Sequence, residues 1–168
     1  VKVATLELIF RALNEARARY LVVGGVAVIA YGYRRTTEDV DLVLDLSSEA
    51  LPQALNALSA LGYRPMLPVS LMDFANPETR KDWIENRNMK VFNLISDQHP
   101  DATIDIFPKE PFVFEREYEA ANWQSISEEV QVRIVSLPTL LRLKHEADRH
   151  RDRDDIENLR RLHPGQQD

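Results

Sequence analysis

Cysteine is absent from all 168 residues of the chain. Its absence excludes disulfide staples, zinc–thiolate sites, thiol nucleophiles and redox relays. Long apolar runs are missing too: the longest, near Val26–Ala30, is far too short to span a bilayer. No charged-then-apolar leader precedes it, so a cytoplasmic location with no membrane partner is expected. An excess of positive charge is also lacking. The 21 basic and 27 acidic side chains leave a net charge of −6, which argues against gripping nucleic acid by overall charge. What is present, 44% apolar and 29% charged residues, is an ordinary globular composition, long enough for one domain with its own core.

Within residues 3–19, Leu6, Ile9, Phe10 and Leu13 recur at helical spacing and predict an amphipathic opening helix. Tyr20–Val23 is a short β-rich run ending at Gly24-Gly25, and Val26–Tyr31 reads as a small buried helix stopped by Gly32. Asp39–Leu46 alternates, with Val40, Leu42, Leu44 and Leu46 on one face and Asp39, Asp41, Val43 and Asp45 on the other, which predicts a half-buried strand. Ser47, Ser48, Glu49 and Pro52 supply helix-start chemistry, and Leu51, Leu55, Leu58 and Leu61 carry a helix to Gly62. From Tyr63 to Asn88 the periodicity dissolves among Pro65, Pro68 and Pro77, so a long loop or lid is expected. Lys90–Ile95 and Ala102–Phe107 read as strands joined by a hairpin-like connection, and Val130–Val135 as another. Pro138 opens a helix to about His150, and Asp152 caps a last one to Leu162 before Pro164-Gly165. The expected fold is α/β (α+β), a small mixed β-sheet flanked by helices with a C-terminal helical pair. One domain over residues 1–168 is expected, its core about 1–135 and its C-terminal helices about 138–162.

The sharpest feature is Asp39-Val40-Asp41. Residues i and i+2 of a strand share a face, so the two carboxylates converge about 6–7 Å apart at the backbone. Like charges that close repel unless a cation sits between them. Magnesium takes hard oxygen ligands of this kind together with substrate phosphates. Asp105, between Ile104 and Ile106 in Thr103–Phe107, can supply a third acid from a second strand and complete a two-metal site. Solvated acids at a strand edge are the simpler reading of an isolated D-x-D pair. Gly24-Gly25 sharpens the choice, because a strand-to-helix turn offers free N–H groups and a helix dipole to a phosphate.

The ordered set of Gly24-Gly25, Asp39-Val40-Asp41 and Asp105 resembles the DNA polymerase beta-like nucleotidyltransferase superfamily. Arg35, Thr37, Asp39 and Asp41 are similar to the R-x-T-x-D-h-D run of its minimal bacterial branch, the AbiEii-type abortive-infection toxins. Lys144, followed by Arg149-His150-Arg151-Asp152 and Asp155-Ile156, resembles that branch's K…R-x-K-D-x-x-D-I signature. Gly25 stands where many superfamily members carry serine, and Arg151 where the signature has lysine. The resemblance covers about residues 20–160. It implies a nucleotidyltransferase-like fold and Mg2+-dependent transfer of a nucleotidyl group from ATP or another NTP to a hydroxyl. Asp39, Asp41 and Asp105 would be the catalytic and metal-binding residues; Gly24, Gly25, Arg35, Thr37 and Lys144 would bind the nucleotide. The acceptor stays open between a tRNA end, a protein and a small molecule such as an aminoglycoside, and a cognate toxin or antitoxin is the implied protein partner. A catalytically silent binding module on the same fold is the alternative.

Several residues carry a plainer reading as well. Lys144 is either a phosphate-reaching cation or a solvated helix lysine, and Arg35 either shapes the phosphate pocket or pairs with Glu38. Residues 142–161 hold seven Lys/Arg against six Asp/Glu, so Arg149, Arg151 and Arg153 read as an internally paired helix surface rather than a nucleic-acid patch. His145-Glu146 and His150 miss the i,i+4 spacing of a zinc helix. Trp83 and Trp123 either stack a base or pack in the core or lid.

Overall fold

Alternating burial organises the sheet. The computed structural model describes residues 1–166. The opening periodicity forms α1 (Val3–Glu15), which buries Thr5, Ile9, Phe10 and Leu13. The chain then enters β1 (Tyr20–Val22), buried at every residue. Helix α2 (Gly24–Ala30) follows at once and starts on the glycine pair, two residues earlier than the hydrophobic run predicts. Next come β2 (Asp39–Leu44) and α3 (Leu51–Ala60). Beyond Asp39 and Asp41, which stay half-buried, β2 is buried on both faces, as suits a central strand.

The segment expected to be a loop or lid, Tyr63–Asn88, is instead structured. It holds the short strand β3 (Arg64–Pro65), a 3-10 turn (Leu71–Ala75) and α4 (Pro77–Arg87). Its prolines punctuate rather than dissolve structure. Pro77 occupies the first helical position, where no N–H is needed, and the Asn76 side chain accepts from Glu78 N and Thr79 N. Asn88 ends the helix in the left-handed region at φ 52°, a conformation its short polar side chain tolerates. Trp83 is buried and stacks on Phe92, as does Phe74, at centroid distances of 5.4 and 4.6 Å. Core packing is therefore the role of Trp83, and cutting it to alanine removes about 3–5 kcal/mol of stability.

The remaining elements are β4 (Phe92–Ile95), β5 (Thr103–Ile106), α5 (Phe114–Ala120), β6 (Asn122–Ser125), β7 (Gln131–Ile134), α6 (Leu137–Ala147) and α7 (His150–Leu162). Sequence patterning gave no sign of α5 or of the polar edge strand β6. The seven strands form one mixed sheet in the order β3-β4-β5-β2-β1-β7-β6. β2 runs parallel to β5, and β1 parallel to β7, while the other neighbours are antiparallel.

Register sorts the side chains into two faces. Phe92, Ile106, Leu42, Val22 and Ile134 lie in one row across five strands, all buried. Phe10 of α1 stacks on Tyr20 of β1 on this face, at 5.7 Å. One position along, Asn93, Asp105 and Asp41 form the neighbouring row on the opposite face. There α5 lays Tyr118 against the Arg133 guanidinium of β7, 3.8 Å from the ring centroid. On β5 and β4, Thr103, Asp105, Asn93 and Ile95 remain half-buried, so this half of the face is reachable from solvent. No helix among the described residues is long and apolar enough to cross a membrane.

Candidate active site

Parallel pairing of β2 with β5 sets Asp41 directly beside Asp105, and Asp39 beside Thr103. Both strands alternate, so the three carboxylates emerge on one face. Asp39, Asp41 and Asp105 each offer an oxygen within 4.8 Å of the others, and all are half-buried. Each is held by a different neighbour. The Thr37 hydroxyl donates to Asp39 Oδ1 at 2.8 Å, the Gly25 N–H reaches Asp41 Oδ2 at 3.4 Å, and Asn93 Nδ2 donates to Asp105 Oδ1 at 2.6 Å.

The two glycines are required by space. Gly24 has φ +60°, and a Cβ there would fall 1.8 Å from Asp41 Oδ2. At Gly25 a Cβ would meet Thr37 Oγ1 at 2.4 Å and Arg35 Nη2 at 3.0 Å. A serine at position 25 would clash already at its Cβ, because Thr37 occupies that space.

Electrostatics set the triad apart as a group that could hold a cation. Burial, then the charges of Asp39 and Asp105, push the Asp41 carboxyl up to about 6. Burial also raises Asp105, with Asp39 adding to it and the bond from Asn93 opposing. Three crowded carboxylates with hard oxygen donors fit a divalent cation such as Mg2+.

A cationic wall faces them. A cavity of about 120 Å3 is bordered by Gly25, Asp39 and Asp41 on one side and by Arg35, Lys144, Arg149 and Arg151 on the other. Lys144 is no solvated helix lysine. It is 5% exposed, with Nζ 3.0 Å from Asp152 Oδ1 and 2.9 Å from Asp155 Oδ2. Arg35 does not pair with Glu38; it braces Asp155 through Nε at 2.9 Å and Nη2 at 3.2 Å. Arg149 Nε donates to Asp152 Oδ2 at 2.8 Å, and Arg151 Nη2 donates to the Thr36 carbonyl at 3.0 Å. The result is a chain of alternating charge, Arg35–Asp155–Lys144–Asp152–Arg149, joining the loop before β2 to α6 and α7. Burial pushes the Asp152 carboxyl up, but the bonds from Arg149 and Lys144 outweigh it and hold the group below its ordinary range.

All eight residues singled out from the sequence thus meet in one place: Gly24, Gly25, Arg35, Thr37, Asp39, Asp41, Asp105 and Lys144. Patterning missed Asn93, and it read Arg149 and Arg151 as part of an internally paired helix surface; both are exposed and also border the cavity. The pairing expected for that stretch is present in part, as Arg149 with Asp152 and Arg153 with Asp148. Asp152 is not the cap of α7 but its third residue, reaching back to the Arg149 N–H at 3.2 Å. Trp123, 54% exposed, lies under Arg133 away from the triad.

No family model matches the sequence, and no curated protein matches it. Solved structures do. The crystal structure of the lincosamide antibiotic adenylyltransferase LnuA, lincomycin-bound, superposes with a TM-score of 0.65 at 17% identity, covering 96% of this chain and 98% of that one. The crystal structure of ANT(2'')-Ia with adenylyl-2''-tobramycin gives 0.58 at 17% identity, over 94% and 87% of the two chains. A solution structure of ANT(2'')-Ia gives 0.53 at 17% identity, over 95% and 80%. The chain therefore has the nucleotidyltransferase fold.

Proposed function

We propose that the protein transfers a nucleotidyl group from an NTP to the hydroxyl of a small organic acceptor. The observation that carries this reading is the convergence of Asp39, Asp41 and Asp105 beside Gly24-Gly25, with a cationic wall opposite. Asp39, Asp41 and Asp105 would hold Mg2+, which when bound neutralises phosphate charge and favours displacement at phosphorus. Gly24, Gly25, Arg35, Thr37 and Lys144 form the nucleotide's side of the site. The acceptor approaches from the other side, over the half-open face of β5 and β4, where Asn93 engages one oxygen of Asp105 and leaves the second to take the hydroxyl proton. The acceptor oxygen forms a bond to the α-phosphorus, the bond from that phosphorus to the bridging oxygen breaks, and pyrophosphate leaves.

Proteins that share this fold act on, or are bound to, small antibiotics, which supports a small-molecule acceptor. A second reading, a toxin of the AbiEii type acting on tRNA or protein, is favoured by the signature residues Lys144, Asp152 and Asp155, which meet in one buried cluster with Arg35. One experiment separates them. Each α-labelled NTP is incubated with Mg2+ and, in parallel, with lincomycin, tobramycin, tRNA or cell-extract protein, beside an Asp41→Ala control. Label in a small-molecule product supports the first reading; label in tRNA or protein selects the second. Label no higher than in the control, in every arm, would leave a silent binding module.

A further inference from the structure

We infer that Arg149 grips the terminal phosphates of the nucleotide, and that Lys144 and Asp152 are positioning residues that act through it. The inference rests on the nucleotide-binding part of the reading above.

The four cations on the cavity wall are not equivalent. Arg35 gives Nη2 to Asp155 and Nη1 to the Thr36 carbonyl at 2.9 Å, while its Nε is buried 2.9 Å from Asp155 Oδ1 in an ion pair without a hydrogen bond. Lys144 is buried between two carboxylates, each at hydrogen-bond distance, so its single charge is already matched. An ammonium in that setting is a poor point of attraction for a phosphate. Arg151 gives Nη2 to the Thr36 backbone from an exposed position.

Arg149 differs. Its Nε and its own backbone N–H converge on one oxygen, Asp152 Oδ2, at 2.8 and 3.2 Å. Nη1 and Nη2 make no hydrogen bond among the described residues, and the side chain is 75% exposed. A guanidinium tethered through Nε keeps its two-pronged edge for an incoming anion, and planar forks of this kind match phosphate oxygens. That edge is at the right place. Arg149 borders both cavities that contain Asp41, and the charges of Asp41 and Asp39 act on it.

Asp152 explains why the tether holds. Its carboxylate, 1% exposed, splits its oxygens: Oδ1 takes Lys144 and Oδ2 takes Arg149. Lys144 thereby neutralises the buried anion and fixes the orientation in which it presents Oδ2. The lysine influences the nucleotide at one remove.

Calorimetric titration of the full chain with Mg-ATP, Mg-tripolyphosphate and AMP tests the assignment. Arg149→Ala is expected to weaken both polyphosphates about 10- to 100-fold while AMP binding stays within about twofold. Arg149→Lys, which keeps charge but loses the fork, falls between. Arg153→Ala removes the same charge from an exposed pair with Asp148 and changes none of the three affinities. Lys144→Met weakens tripolyphosphate in the wild-type background and adds little once Arg149 is alanine. Tripolyphosphate affinity within about twofold of wild type in Arg149→Ala, an equal loss for AMP, or fully additive losses for Lys144→Met would each overturn the assignment. A wild-type protein that binds tripolyphosphate through Arg149 but labels no acceptor refutes the transfer reading alone. Wild type that binds neither polyphosphate refutes both.

Discussion

Gly24 and Asp41 share one space: a single methyl group on Gly24 would sit 1.8 Å from Asp41 Oδ2. The Asp41 carboxylate therefore rests against bare backbone, in the cleft where strand β1 turns into α2. No rotamer of a residue with a Cβ escapes this, since the position of Cβ is set by the backbone.

Gly24→Ala is expected to displace Asp41 and to lower nucleotidyl transfer by at least about 100-fold, because a shift of about 1 Å in a reacting constellation has that effect. The left-handed backbone at φ +60° adds a folding cost of about 1–2 kcal/mol. Labelled-nucleotide transfer and thermal melting of the variant check both parts; near-wild-type activity would show that Asp41 need not stay where it is.

Position 25 and Thr37 should be coupled. Gly25→Ser places its Cβ 2.4 Å from Thr37 Oγ1 and is expected to destabilise the fold. Thr37→Ala removes that oxygen but keeps the Thr37 Cβ at 2.9 Å, so the double variant should recover part of the loss, about 0.5–3 kcal/mol, in a double-mutant cycle measured by urea unfolding. Additive effects would mean that the two residues do not compete for the same volume.

In the absence of divalent metal, stability should fall as pH rises from about 4 to about 6. An unfolded aspartate ionises near 3.9, whereas Asp41 in the folded chain is pushed up to about 6, so the folded state binds the extra proton in between. Asp41→Asn removes the titration. The variant should equal wild type near pH 4 and exceed it by about 2–3 kcal/mol at pH 7, in urea melts with EDTA. Adding Mg2+ should erase the difference at pH 7 by stabilising wild type through mass action. A gap that does not change with pH would rule out Asp41 as its source.

Asp155 is fully buried between Arg35 and Lys144. Asp155→Asn leaves Arg35 without a carboxylate partner and Lys144 sharing Asp152 with Arg149, and a loss of about 3–5 kcal/mol is expected. Arg161→Ala breaks an exposed pair with Glu157 one turn away on the same helix and should cost less than about 0.5 kcal/mol. Chemical unfolding of the two variants side by side measures the contrast. Similar losses would mean that burial adds nothing to the Asp155 cluster.

The triad was legible because strand alternation is a strong signal: acids at 39, 41 and 105 interleave with apolar residues that can only face a core. Other parts were hidden for identifiable reasons. Pro77 reads as a breaker by composition but opens α4, and the charged sequence around Trp83 gives that helix hardly any apolar stripe. Asp152 and Asp155 read from sequence as a cap and pairing partners on a helix surface, yet with Leu159 they sit at i, i+3 and i+7 and form the buried stripe of α7. A helix face whose buried positions are acids looks exposed until the cations that meet it are found on other elements. Asn93 carried a weaker clue, a lone amide between Phe92 and Leu94 on a strand beside that of Asp105.

The alternating-charge chain also fixes when the site can come into being. Arg35 and Asp155 lie 120 residues apart in sequence, so the bond between them forms only after residue 155 has been synthesised. Until α7 docks, Lys144 has neither of its aspartate partners and Arg149 has no anchor. The aspartate triad is encoded earlier, by residue 105, but the wall facing it waits for the last helix. A ribosome-bound fragment that stops short of residue 155 thus has the aspartate triad without the braced charges that face it.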